Sequence, residues 1–99
     1  MAKKPKLTVD EVVDRQWKLV GATLLPGTCR VRYEAAVARP KYPTKAWLQL
    51  SDRLDACARR ARAMAAERVG AERLGRQRVA AALTTMSRDA WTRGGGGVG

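Results

Sequence analysis

The spacing of apolar residues between positions 47 and 64 is the feature that most restricts the fold. Apolar or small side chains recur at alternating intervals of three and four residues: Trp47, Leu50, Leu54, Cys57, Ala61 and Met64. Because an α-helix completes a turn in about 3.6 residues, this spacing places them on one face. It predicts a long helix capped by Thr44, whose apolar stripe packs on another helix of this chain or of a partner.

Two glycines interrupt the helical pattern beyond this stripe. Gly70 and Gly75 each lower helix stability by about 1 kcal/mol relative to alanine, so a bend or a break is predicted at 70–75. Helical spacing then resumes at Val79, Leu83, Met86 and Ala90. These residues predict a further segment over 76–91, and the pattern leaves open whether the two segments form one rod or a hairpin.

A capping box opens the first predicted helix. Thr8 and Glu11 have the spacing at which the hydroxyl accepts from one main-chain amide and the carboxylate from another. An apolar stripe follows at Val9, Val12, Val13, Trp17 and Val20. We expect a helix over 9–20 that Gly21 ends.

The segment after this helix is ambiguous. The letters "LLPGT" indicate a turn in which Pro26 takes the first central position and Gly27 a positive φ. In the residues that follow, apolar and charged side chains alternate as they would in a strand, but the same residues also fit a helix capped by Thr28. With no second strand to pair with, a helix over 29–38 is favoured, ending before Pro40. The letters "RPKYP" then predict an extended connector.

The predicted fold is all-α, a small helical protein with one capped N-terminal helix, a Pro-rich connector and a long basic helix. A single domain over 8–92 would lie between two extended termini, a basic extension over 1–7 and a flexible Gly-rich tail over 93–99. The chain has 99 residues and no Phe, and many of its apolar residues are alanines that bury little area. We therefore expect a thin core, anchored by Trp17, Trp47 and Trp91, and stability that depends in part on a larger partner.

A strong positive charge is the main indication of function. The chain carries 20 Lys and Arg against 9 Asp and Glu, a net charge of +11, and the excess is spread along it. Such a field attracts polyanions. Between residues 57 and 80 there are seven arginines but only Glu67 and Glu72 as acids. A solvated helix face is the alternative, but unpaired arginines favour an anionic partner, because the guanidinium fork matches phosphate.

Several basic side chains and one aromatic are predicted to contact nucleic acid. On a continuous helix, Arg59 and Arg73 would be about 21 Å apart and, with Arg62 and Arg76, would lie opposite the apolar stripe. Tyr42 stands among basic residues of the connector, where it could stack on an exposed base or sugar. The predicted contacts are Arg30, Arg32, Arg39, Lys41, Tyr42, Lys45, Arg59, Arg60, Arg62, Arg73 and Arg76. The predicted packing residues are Val13, Trp17, Trp47, Leu50, Leu54 and Met64.

Other chemistry has little support in the composition. The chain has no His, so the commonest general base is missing, and we expect no catalytic residue, no cofactor and no small-molecule substrate. Cys29 and Cys57 are too few for a zinc site; two reduced thiols are favoured over a disulfide. No apolar run approaches the roughly 18–20 residues that cross a membrane, so we expect no membrane-spanning segment.

Two resemblances accompany these patterns. The letters "PKYPTKAW", followed by Leu50, resemble the opening of an HMG box, a DNA-bending module, but the later helices of such a box have no counterpart, and no residue is carried over. The order of a "QWKLVG" helix, a Pro-Gly turn, a proline-rich crossing and an Arg/Ala helix resembles small accessory proteins of mitochondrial ribosomes.

These observations predict a non-catalytic RNA-binding subunit of a ribonucleoprotein, with rRNA and neighbouring proteins of a large assembly as partners. A mitochondrial ribosome is the expected location, and the cytoplasm is the alternative. The competing hypothesis is an accessory subunit of a respiratory or ATP-synthase complex or of a cytoskeletal array. In that case the arginines would contact acidic protein surfaces or lipid head groups.

Overall fold

A computed structural model of the chain describes residues 7–96. Its elements in order are the helices α1 (Val9–Lys18), α2 (Pro26–Ala38), α3 (Thr44–Ala66) and α4 (Gly70–Arg93). No strand occurs in that part of the chain, which confirms the predicted all-α class. The predicted extension over 1–7 lies outside the described residues except for Leu7, as does the end of the predicted tail beyond residue 96.

The capping box of α1 forms as the sequence predicts. The Glu11 amide donates to the Thr8 hydroxyl (3.2 Å), and the Thr8 amide donates to the Glu11 carboxylate (3.3 Å). The helix buries Val12 and Gln16 but ends at Lys18, before the predicted end at residue 20. Val20 is consequently 65% exposed rather than part of the apolar stripe.

Helix α2 begins three residues earlier than predicted, because Pro26 and Gly27 form its first turn instead of a separate turn. Proline suits the first helical position, since the amide that it lacks would have no partner there. Gly27 does not have a positive φ. Its lack of a side chain matters sterically, because a β-carbon would overlap the carbonyl oxygens of Trp17 and Leu19. Thr28 is no cap, and its hydroxyl accepts from the Gly21 amide (3.1 Å).

The start of α3 also corrects a prediction. Pro43, not Thr44, is the N-cap residue, and no side chain caps the helix. Thr44 instead occupies the first helical position. As predicted, the preceding helix ends before Pro40. The connector to α3 is not extended throughout as predicted, because Pro40 and Lys41 form a turn.

Helices α3 and α4 form an antiparallel hairpin that makes up most of the molecule. The chain reverses over residues 67–69, earlier than the predicted break, and α4 starts at 70 rather than 76. Gly70 permits this reversal because its φ is +61°, a left-handed conformation that other residues rarely adopt. Gly75 lies inside α4 and is buried. The hairpin resolves the alternative that the apolar pattern left open.

The core lies between α2, α3 and α4. The stripe residues Trp47, Leu50, Leu54 and Cys57 are buried there, facing Val79, Leu83 and Ala90 of α4. Val13, Trp17 and Met86 pack against this cluster, and Met64 is half-buried near the hairpin end. The prediction for Trp91 is wrong: its side chain is 50% exposed. Ala90 takes the inward position, and the next residue is rotated by about 100° along the helix.

Candidate nucleic-acid interface

The hairpin groups the predicted arginines differently from a straight helix. The chain reverses between Arg59 and Arg73, so their predicted 21 Å separation along one axis does not exist. Arg62 of α3 and Arg73 of α4 instead line one groove. This hairpin groove has a volume of about 540 Å³ and is lined by Arg62, Ala66, Arg73, Gln77, Ala81, Thr84, Thr85 and Arg88.

The cations of the hairpin groove have no acid as a neighbour in its lining. The Arg62 guanidinium donates to the Thr84 hydroxyl, which itself donates to the Ala80 carbonyl (2.9 Å). Arg73 and Arg88 form no ion pair with any residue of 7–96. Fifteen residues separate them on α4, or about 22 Å along its axis, and Thr84 holds the third guanidinium between them. The groove therefore presents a row of three positive charges.

A second groove, the tyrosine groove, lies between α2 and α3. It has a volume of about 390 Å³ and is lined by Arg32, Ala35, Ala36, Arg39, Tyr42, Ala46, Gln49, Leu50 and Arg53. The Arg39 guanidinium lies 5.4 Å from the centre of the Tyr42 ring, and that ring meets Trp47 edge-on with centres 5.0 Å apart. The ring is thus half-buried against the core while it still borders the groove.

A third, smaller cavity of about 140 Å³ lies beside α1, with Arg15, Arg60 and Arg76 among its lining residues. Arg76 was predicted to lie opposite the stripe, and this is wrong. Its side chain is only 13% exposed, its Nε lies 3.3 Å from the Glu72 carboxylate, and its Nη1 lies 3.8 Å from the Met64 sulfur. It covers the hairpin end instead of facing solvent.

Other predicted contacts already have partners within the chain. Arg30 pairs with Glu34 (2.7 Å), and its guanidinium lies 4.8 Å from the centre of the Trp17 ring. Arg59 pairs with Asp55 (3.2 Å). Exposed ion pairs of this kind contribute about 0–1 kcal/mol to stability, so these arginines can leave the acid for another anion. Arg32, Arg39, Arg60, Arg62 and Arg73 form no ion pair with residues 7–96, and Lys41 and Lys45 are exposed beside Tyr42.

Sequence reasoning left several polar groove residues out of the predicted interface: Gln49, Arg53, Gln77, Thr84, Thr85 and Arg88. Arg88 follows Arg73, Gln77, Ala81 and Thr84 on one face of α4, and extending the helical spacing to residue 88 would have found it. Gln49 and Arg53 are one turn apart on α3 and face Arg39 across the tyrosine groove. Only the packing of α2 on α3 brings them to that groove, so no local pattern signals their role.

The two cysteines of the chain are buried. Cys29 and Cys57 are free thiols with 1% exposure each, and they donate to the carbonyls of Thr23 and Leu24. The interaction with Cys29, together with burial, raises the pKa of Cys57 well above its ordinary value, and the same interaction lowers the pKa of Cys29. Cys57 therefore stays protonated near neutral pH. Among the described residues there is no group of three or more His, Cys, Asp or Glu that could hold a metal ion.

No protein-family model, no curated protein and no solved structure matches this chain. None of the four helices is both long enough and apolar enough to cross a membrane, as far as residues 7–96 are concerned. The grooves and their charges are therefore the main indication of function.

Proposed function

We propose that this chain is a non-catalytic RNA-binding subunit of a ribonucleoprotein. The observation that carries the proposal is the hairpin groove, in which Arg62, Arg73 and Arg88 line one surface with no acidic side chain among them. Unpaired guanidinium groups in a row suit a phosphate backbone, which is a linear array of negative charges. A solvated helix face gives no reason for three arginines from two helices to share one groove.

The groove supplies a neutral donor as well as charge. Gln77 borders it, and amide groups contact sugar and phosphate oxygens in nucleic-acid complexes. Thr84 and Thr85 also border the groove, but their hydroxyls already donate to the Ala80 and Ala81 carbonyls. The tyrosine groove places an aromatic ring near further arginines. Proteins that recognise RNA combine such cations with stacking side chains. The mitochondrial ribosome stays a prediction from the sequence.

Exposed apolar residues support a position inside an assembly. Val69 is 82% exposed, Leu74 52% and Trp91 50%. A neighbouring protein that covered them would add to the stability of a core built largely from small residues. The same observation supports the rival function, an accessory subunit of a large protein assembly whose acidic surfaces meet the arginines. Only the nature of the anion separates the two.

The test compares two triple variants with the same loss of charge. The groove variant replaces Arg62, Arg73 and Arg88 by Gln. The control variant replaces Lys18, Arg78 and Arg93 by Gln, each of which pairs with an acid of this chain and was not predicted to contact nucleic acid. Binding to a fluorescent RNA is measured by anisotropy between about 50 and 300 mM salt, where a phosphate contact adds roughly 0.7–0.9 to the slope of log K against log salt.

The groove variant should lose about two units of slope, and the control variant less than one. Circular dichroism checks that both fold. Equal losses would mean that net charge alone acts and would contradict the proposal. Polyglutamate that displaces RNA from the native protein at equal charge concentration would favour the rival assembly.

A further inference from the structure

The tyrosine groove differs from the hairpin groove in offering a flat aromatic surface. Tyr42 lies in the connector between Pro40 and Pro43, and Trp47 supports its ring from the side at 5.0 Å. Two prolines and an aromatic neighbour restrict the ring before any ligand arrives. A restricted ring loses little freedom on stacking, so it suits a planar partner.

The Arg39 guanidinium lies over the ring, 5.4 Å from its centre, and Arg39 is exposed. A nucleobase stacks on an aromatic ring more strongly than an exposed guanidinium does. A base can therefore take the place of Arg39 on Tyr42. The displaced side chain stays at the rim of the groove, where it can contact the phosphate of the same nucleotide.

The rest of the lining complements a nucleotide. Ala46 and its alanine neighbours from α2 leave room for a flat ring, because they carry no atoms beyond the β-carbon. Gln49 is exposed, and its amide both donates and accepts, as the edge of a base requires. Arg32 and Arg53 stand on the two opposite helices, and no acid lies in the lining.

We propose that the tyrosine groove binds one unpaired nucleotide of a single-stranded RNA. The base stacks on Tyr42, its edge bonds to the amide of Gln49, and the flanking phosphates contact Arg32 and Arg53. This inference rests on the proposed RNA-binding function and deepens it: the hairpin groove contacts backbone of any sequence, and the tyrosine groove requires an unstacked base.

The experiment measures binding of the full chain to a single-stranded RNA of about six nucleotides and to a duplex of the same sequence. Tyr42→Leu removes the stacking ring and keeps an apolar group against Trp47, and Tyr42→Phe is the matched control that keeps the ring. Tyr42→Leu should weaken single-strand binding about tenfold and duplex binding less than twofold. Tyr42→Phe should leave both unchanged.

Gln49→Ala is a second variant. Residue 49 is exposed on α3, and alanine favours a helix, so this variant should fold and test the groove even if Tyr42→Leu unfolds. It should reduce the difference in affinity between oligonucleotides that differ in one base. Native single-strand affinity in both Tyr42→Leu and Gln49→Ala overturns the nucleotide site while leaving RNA binding intact. Failure of the native chain to bind either RNA overturns the proposed function instead.

Competition by a mononucleotide tests whether the groove binds RNA or a free nucleotide. Uridine monophosphate should compete at least tenfold more weakly than the oligonucleotide, because it lacks the flanking phosphates for Arg32 and Arg53. Equal affinity for the mononucleotide would overturn an RNA site in favour of a small-molecule one.

Discussion

Ser51 and Ser87 exchange hydrogen bonds across the helical hairpin. The hydroxyl of each residue donates to the main-chain carbonyl of the other, both at 2.9 Å, and the two hydroxyl oxygens are 3.3 Å apart. Both side chains are buried among apolar neighbours. Since a buried hydroxyl without a partner is costly, this pair favours one register of α3 against α4. That register is the one that brings Arg62 beside Thr84.

Replacing either serine by alanine should lower the free energy of unfolding by about 1 kcal/mol, the usual net contribution of one hydrogen bond. For a chain of this size the midpoint of thermal unfolding should fall by about 4–8 °C. Urea unfolding measures the effect. Thr85→Ala is the control, since its exposed hydroxyl bonds only within its own helix, and it should change stability by less than about 0.5 kcal/mol. Serine variants as stable as the native chain would disprove the role of the pair.

Gly75→Ala should destabilise the protein, although alanine ordinarily favours a helix by about 1 kcal/mol over glycine. A β-carbon at residue 75 would lie 2.5 Å from both Cβ and Cγ1 of Val12. Overpacking of this kind costs about 1–3 kcal/mol, so after the helix gain of about 1 kcal/mol a net loss of up to about 2 kcal/mol is expected in urea unfolding. Gln77→Ala, exposed on the same helix, should be neutral or slightly stabilising. A stabilised Gly75→Ala would show that α1 does not pack closely on α4.

A tyrosine and a carboxylate should give the stability a pH dependence. The Tyr33 hydroxyl donates to Asp89 at 2.5 Å. Burial and this bond raise the pKa of Tyr33 to about 12, and the same bond lowers the pKa of Asp89 below 3.8. The contribution of Asp89 is therefore present above about pH 4 and lost as the pH falls through its lowered pKa. The contribution of Tyr33 is present below about pH 10 and lost toward 12.

Tyr33→Phe keeps the ring but removes the bond, so it should lower the free energy of unfolding by about 1 kcal/mol at neutral pH. This difference from the native chain should shrink as the pH falls through the lowered pKa of Asp89, because the carboxylate then takes up a proton. Unfolding in urea at several pH values measures it. Tyr42→Phe serves as control, because the Tyr42 hydroxyl forms no hydrogen bond with residues 7–96. A difference that stayed constant after Asp89 had become protonated would exclude the Asp89 bond as its source.

Local patterns predicted the helices that are set by local contacts. The Thr8 capping box and the spacing from Trp47 to Leu54 needed only neighbours along the chain, and both predictions are confirmed. The start of α2 at Pro26 was missed because it depends on a distant contact. Gly27 has no side chain, and this allows the carbonyls at the end of α1 to approach the first turn of α2 closely.

The grooves were predictable only in part, for a similar reason. Charge imbalance identified Arg62 and Arg73, but a rod and a hairpin have the same local helical pattern, and only packing between α3 and α4 distinguishes them. The pairing of Arg76 with Glu72 was visible in principle, since the two are four residues apart. The presence of Arg39 and Gln49 in one groove depends on the packing of α2 on α3 alone.

Thr84→Val should weaken RNA binding with little effect on folding. The substitution keeps the shape of the side chain but removes the hydroxyl that holds the Arg62 guanidinium. A freely moving guanidinium loses entropy on binding phosphate, so the affinity should fall about threefold, equivalent to about 0.7 kcal/mol. Anisotropy titration measures it. Thr85→Val is a close control, because Thr85 lines the same groove but its hydroxyl donates only to Ala81. Equal affinities of the two variants would show that Thr84 does not position Arg62 for the phosphate.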